Sequence, residues 1–218
     1  LEMAGQDGQD VVQVPSGLQP RAALGYLLGS AACVVESTGL APMASDIQAF
    51  VPSLEALMQD LLPTSPQTHN PAKRIAMSLV DSMPFVYAPR TLRSAATRWQ
   101  TQINENAKML CLSGEVPEMG HNQIVGWFDG TENHRGRPVM LMPRSGRCAS
   151  ADLMRTIIDM FAEHGIDTVV AELEGSSPLE SALHGIMLGD FVSYYLAILR
   201  GVDPTPVPSI TELKDRLR

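Results

Sequence analysis

Pro84-Phe85-Val86-Tyr87-Ala88, a short apolar run with β-branched and aromatic residues set between prolines, reads as a buried strand. Leu92 to Lys108 follows it with Ala95, Ala96, Trp99 and Ile103 on one face, the spacing of a helix. The same alternation continues outward. Met109 to Leu112 is expected as a second strand, Val139 to Met142 as a third and Thr168 to Ala171 as a fourth. Between them, Pro117 to Phe128 begins as loop and ends as a short helix, and Ala151 to His164 is a helix stopped by Gly165. Leu179 to Leu199 is a long apolar helix stopped by Gly201. Short buried strands alternating with helices imply right-handed crossovers and an α/β fold, a parallel sheet flanked by helices on both faces. In such sheets ligands sit beyond the carboxyl ends of the strands, so the loops after Ala88, Leu112, Met142 and Ala171 are the expected site.

Upstream, helices precede any strand. Gln19-Pro20-Arg21 opens one that carries Leu24, Leu27, Leu28, Ala31, Val34 and Val35 and is stopped by Gly39 and Pro42. Asp46 to Leu62 forms the next, and the proline-rich stretch from Pro63 to Pro71 marks a boundary. Downstream, Gly201 to Pro208 is a stiff, proline-rich tail that delivers a last helix, Ser209 to Arg218, with Ser209 as N-cap and Glu212 completing a capping box.

A hydrophobic content of 44% against 18% charged residues excludes disorder. A formal charge of -8 argues against nucleic-acid or membrane-surface binding, which needs a basic footprint, and requires local cations to meet any anionic substrate. Ala22 to Val35, about fourteen nearly apolar residues, is too short for a bilayer core of about 30 Å and is expected as a core helix. Cys33, Cys111 and Cys148 are far apart and in no C-x-x-C spacing, which reads as reduced thiols in a cytoplasmic protein. His69, His121, His134, His164 and His184 make no metal-ligand pattern, so no metal and no cofactor is expected. The chain opens on Leu1, and its first residues read as a linker of a longer protein.

The chemistry concentrates between residues 104 and 122. Glu105 lies sixteen positions before His121, and asparagines flank both. Glu105, near the end of the Leu92 helix, faces that helix's negative pole, a setting that suits a general base and equally a solvated helix-end glutamate. His121, in a Gly-His-Asn turn, is a candidate acid/base or an ordinary loop histidine. Arg21, beside a positive helix end, is either aimed at an anion or a surface arginine; Lys214 reads by itself as a surface lysine. Arg135, Arg137, Arg144 and Arg147 form a local cationic cluster of solvated loop charges.

Four separated stretches, Gln19 to Leu24, Asn104 to Lys108, Pro117 to Asn122, and Arg200 to Pro208 with Leu213-Lys214, resemble in order the bifunctional phosphoglucose/phosphomannose isomerase family, whose members carry two sugar-isomerase (SIS) domains. The resemblance implies a SIS domain, a flavodoxin-like three-layer sandwich, over 73–218 with a C-terminal tail helix. Residues 19–72 would be linker helices, and 1–18 the exit of a first SIS domain. It implies that Glu105 moves a proton between C1 and C2 of a hexose 6-phosphate, that His121 opens the ring with help from Lys214, and that Arg21 stabilises the cis-enediolate. Asn106, Glu118 and Asn122 would contact substrate. It also implies a homodimer in which the histidine crosses into the neighbour's site. The Ser-Gly-Asn-Thr loop that holds phosphate in the family's first domain has no counterpart here, so this chain alone is expected to lack the main phosphate cradle. Val207 stands where some relatives place a threonine, which leaves the choice between glucose and mannose phosphates open. The alternatives are an inactive, sugar-phosphate-binding regulatory SIS module and, further off, a phosphosugar deaminase or a different isomerase on the same fold.

Overall fold

The computed structural model describes residues 2–130, 135–144 and 150–218. It divides into two compact units, Leu1–Ser53 and Leu54–Arg218.

The first unit holds α1 (Glu2–Gln6), α2 (Leu24–Ser37) and the opening of α3 (Met43–Leu61). Arg21 does not open an α-helix: it is the middle residue of a single 3-10 turn, Pro20–Ala22, closed by the Ala23 N–H on the Pro20 carbonyl. The connection from α2 to α3 is tied by Glu36, whose carboxylate accepts from the Ser45 N–H (2.8 Å) and hydroxyl (2.6 Å), bonds that hold it below the usual carboxylate range. The apolar Ala22 to Val35 stretch is not a core helix within this chain. α2 buries Ala32 while Tyr26, Leu27 and Val34 stay about half exposed. A helix that is apolar all round needs cover on every side, and the described residues cover one.

The second unit holds the sheet. Its elements are α4 (Pro71–Leu79), β1 (Met83–Ala88), α5 (Arg93–Asn106), β2 (Leu112–Glu115), α6 (Val116–Met119), α7 (Gln123–Asp129), β3 (Gly136–Pro143), α8 (Ala151–Glu163), β4 (Val169–Leu173), α9 (Pro178–Leu199) and α10 (Pro208–Arg216). The strands run in the order β2-β1-β3-β4, and every pairing is parallel. Helices α4, α5 and α9, with the end of α3, cover one face. The other face is covered by α6, α7 and α8 around Trp127, Met154 and Phe161. The expected three-layer α/β sandwich is therefore present.

The closest packing is between α5 and α9. All four residues expected on the inner face of α5, namely Ala95, Ala96, Trp99 and Ile103, are buried. The Trp99 indole donates to the Gly185 carbonyl (2.7 Å) and lies so near Gly189 that a Cβ there would stand 2.3 Å from the ring. Each fully buried Leu or Ile of this layer, such as Leu79 and Ile103, stabilises by about 1.5–3 kcal/mol. Among the described residues α9 is the one helix long and apolar enough to cross a membrane by length and composition; more than half of it is buried against α4 and α5, as in a core helix.

Several sequence expectations shift for physical reasons. α4 was not expected. Asn70 caps it by accepting from the Lys73 N–H (3.0 Å), Pro71 fits the first turn, and Ala72, Ile75, Ala76 and Leu79 face inward. β2 begins where Met109 to Leu112 was expected to end. The Asn104 side-chain amide donates to the Cys111 carbonyl (3.1 Å) and accepts from the Cys111 N–H (3.2 Å), so a side chain satisfies the backbone groups that a strand ladder would use. The expected box at Ser209 and Glu212 is absent: Pro208 already begins α10, Val207 is the N-cap without a side-chain bond, and Glu212 pairs with Arg216. A capping interaction stands instead at α9, where Ser177 accepts from the Glu180 N–H (3.2 Å) and the Glu180 carboxylate reaches back to Ser176 (2.7 Å).

Candidate active site

Glu105 is half-buried on the last turn of α5, and that turn is anchored on three sides. Asn104 binds Cys111 as described. Asn106 Nδ2 donates to Ser193 Oγ (2.9 Å) on α9, and that hydroxyl donates to the Asp190 carbonyl (2.7 Å). Asp190 in turn takes Arg98 of α5 in a two-pronged ion pair, 2.9 and 2.8 Å. At the helix end, Lys108 Nζ donates to the Glu105 carbonyl (2.5 Å) and Arg200 Nε to the Ala107 carbonyl (3.1 Å). A helix leaves its last carbonyls without internal partners, and these two cations supply them. Asn106, expected to contact substrate, and Asn104 are both bonded as anchors of the helix end.

His121 sits elsewhere. α6 begins where β2 ends, and His121 follows it in the Gly120–Asn122 link, exposed together with Asn122, its N–H donating to the Glu118 carbonyl (3.0 Å). Asn122 Nδ2 donates to the Glu118 carboxylate (2.8 Å), which brings those two candidates together. Beside them a cleft of about 390 Å³ is lined by Arg93, Ser113, Glu115, Glu118 and Gln123, with Arg93 pairing to Glu115 at 3.3 Å. Arg93 and Glu115 were not singled out in the sequence; their pairing becomes visible only once the start of α5 meets the end of β2.

That pair fixes the geometry. It places the start of α5 at the carboxyl edge of the sheet, where His121 lies. Glu105, twelve residues further along the helix, is roughly 18 Å away toward the amino edge. One copy of the chain does not bring Glu105 and His121 together, and the carboxyl-edge expectation applies to Glu118, His121 and Asn122 but not to Glu105. Lys214 is exposed in the last turn of α10, a helix that buries none of its residues. Arg21 belongs to the first unit and is half-buried there.

The arginine cluster is not one cluster. Arg135 and Arg137 stand at the amino end of β3, with Arg137 paired to Asp167, whereas Arg144 follows its carboxyl end and pairs with Glu174 and Glu172. Arg147, His134 and Cys148 lie outside the described residues. Among the described residues no three His, Cys, Asp or Glu side chains gather as a metal site. Cys33 is exposed, while Cys111 is buried and its thiol is pushed up to about 12 by desolvation.

Residues 68–217 match the model of the bacterial phospho-glucose isomerase C-terminal SIS domain. The chain belongs to that family. As a bacterial phospho-glucose isomerase C-terminal SIS domain, it is 33% identical, over 99% of its length, to the bifunctional phosphoglucose/phosphomannose isomerase of Caldicellulosiruptor bescii. It is 29% identical, over its whole length, to the protein of that name from Aquifex aeolicus. The chain spans 65% and 64% of those relatives' own lengths. Among solved structures, a glucose-6-phosphate isomerase like protein from Thermus thermophilus superposes with a TM-score of 0.65 at 24% identity, covering 90% of this SIS chain and 62% of that one. A hypothetical protein from the same organism superposes at 0.73 with 14% identity, covering 100% and 59%. At these identities the structures speak to the fold alone.

Proposed function

We propose that this SIS chain forms the larger part of an aldose-ketose isomerase, a cytoplasmic homodimer that interconverts glucose 6-phosphate and mannose 6-phosphate with fructose 6-phosphate. The observation that carries the reading is the three-sided anchor on the helix turn that bears Glu105, in a chain whose relatives are named phosphoglucose/phosphomannose isomerases. Its role is to take the proton from C1 of the ketose or C2 of the aldose and return it to the other carbon. The intermediate is a cis-enediolate, whose charge a cation such as Arg21 would meet. Both aldoses share that intermediate, so one site serves both epimers. His121, assisted by Lys214, opens the ring. The separation of Glu105 from His121 within one chain supports a site shared between two copies.

Coupled turnover of fructose 6-phosphate to each aldose phosphate by the full-length protein tests the reading. Turnover that Glu105→Gln abolishes while hexose phosphate still binds supports it. Binding without turnover in the unaltered protein favours the regulatory sugar-phosphate-binding module instead.

A further inference from the structure

Lys108 is the non-glycine residue with a positive φ, +52°, among the described residues, although glycine or asparagine fits that left-handed conformation more readily. What the lysine adds is an ammonium with two carbonyl partners. Its Nζ donates to the Glu105 carbonyl at 2.5 Å and, at 3.4 Å, to the carbonyl of Pro204, ninety-six residues further on. Pro204 belongs to the proline-rich tail between α9 and α10. The tail is also turned locally by the Val202 N–H on the Ala197 carbonyl (3.0 Å) and by the Thr205 N–H on Asp203 Oδ1 (2.8 Å). Beyond it α10 buries no residue, so apolar packing against the sheet does not register that helix. The left-handed turn points the chain away from α5 toward β2, and the long side chain returns across the helix end to the tail.

We infer that Lys108 is a positioning residue, a clamp whose ammonium joins the backbone beneath Glu105 to the tail that carries Lys214. This deepens the isomerase reading and rests on it. Arg200, directly before the tail, fastens the tail's root to the neighbouring Ala107 carbonyl, and the Lys108 clamp, four residues further along at Pro204, sets the placement of the Lys214 segment relative to the Glu105 helix end.

Full-length protein carrying Lys108→Asn, which keeps the left-handed conformation and removes the ammonium, is the test, with Lys108→Arg as the conservative variant. The expected result is a fall in kcat of about ten- to a hundredfold, with KM within about twofold and partial rescue by arginine. The loss is not to multiply with that of Lys214→Ala, and amide hydrogens of 201–218 are to exchange faster in Lys108→Asn at an unchanged melting temperature. Unaltered exchange over 201–218, or losses that multiply independently, would overturn the clamp. Absence of turnover in the unaltered full-length protein overturns the isomerase reading itself and is seen before any variant is compared.

Discussion

Arg98 on α5 and Asp190 on α9 are joined by two hydrogen bonds of 2.9 and 2.8 Å, and the backbone carbonyl of that same aspartate accepts from Ser193, which holds Asn106 beside Glu105. One turn of α9 therefore carries both the ion pair that fastens the two main helices and the serine that holds the turn of the candidate base. Arg98 retains 15% of its side-chain exposure and Asp190 32%, so the pair lies between a surface and a buried bridge. Asp190→Ala is expected to destabilise the domain by about 1–3 kcal/mol, read from the midpoint of urea unfolding. Pairing it with Arg98→Met should recover part of that loss, because the stranded guanidinium is removed.

Gly189→Ala tests the α5–α9 contact. A Cβ at 2.3 Å from the Trp99 ring forces the helices apart or the indole out of its bond to Gly185. A loss of about 1–3 kcal/mol is expected, with a changed tryptophan emission spectrum.

Mixed dimers test the proposal of a site shared between two copies. Since Glu105 and His121 lie at opposite ends of the sheet, full-length chains carrying Glu105→Gln or His121→Ala should each be inactive alone. Co-refolded in equal amounts, they should regain about a quarter of wild-type turnover, because half the dimers then contain one intact site. No recovery would show that each chain completes its own site.

Thiol accessibility follows burial. At neutral pH an alkylating reagent should label Cys33 and spare Cys111 until the domain unfolds, as read by peptide mass spectrometry.

Alkaline pH should weaken the fold. Burial pushes the Tyr87 hydroxyl up to about 12 from its usual 10, and the Cys111 thiol up to about 12 from 9. Both groups hold their protons more tightly folded than unfolded. Their stabilising contribution is whole below about pH 9 and is lost as pH rises toward about 12. His184 acts at the other end: burial lowers its proton affinity, opposed by Glu180 and Glu174, so its contribution is present above its ordinary value of 6.5 and fades as pH falls through the lowered one. Melting temperatures against pH should decline on both flanks, and Cys111→Ala should soften the alkaline decline.

Periodicity and punctuation by themselves determined the sandwich. β1, β3, β4, α5, α8 and α9 stood within a few residues of their expected places, because their apolar spacing is local and strong. The Asn104 to Lys108 and Pro117 to Asn122 stretches were legible as candidate chemistry because a carboxylate and a histidine flanked by asparagines stand there, in segments that resemble a known family. What tertiary structure decided was every relationship carried by side chains across the fold. Asn104 delayed β2 by occupying the backbone of Cys111, an effect no strand propensity encodes. The apolar α2 was left half exposed, since burial depends on what covers a helix and not on its composition. The distance between Glu105 and His121 also depended on direction: α5 runs the length of the sheet, so sixteen positions in sequence became opposite ends of a domain.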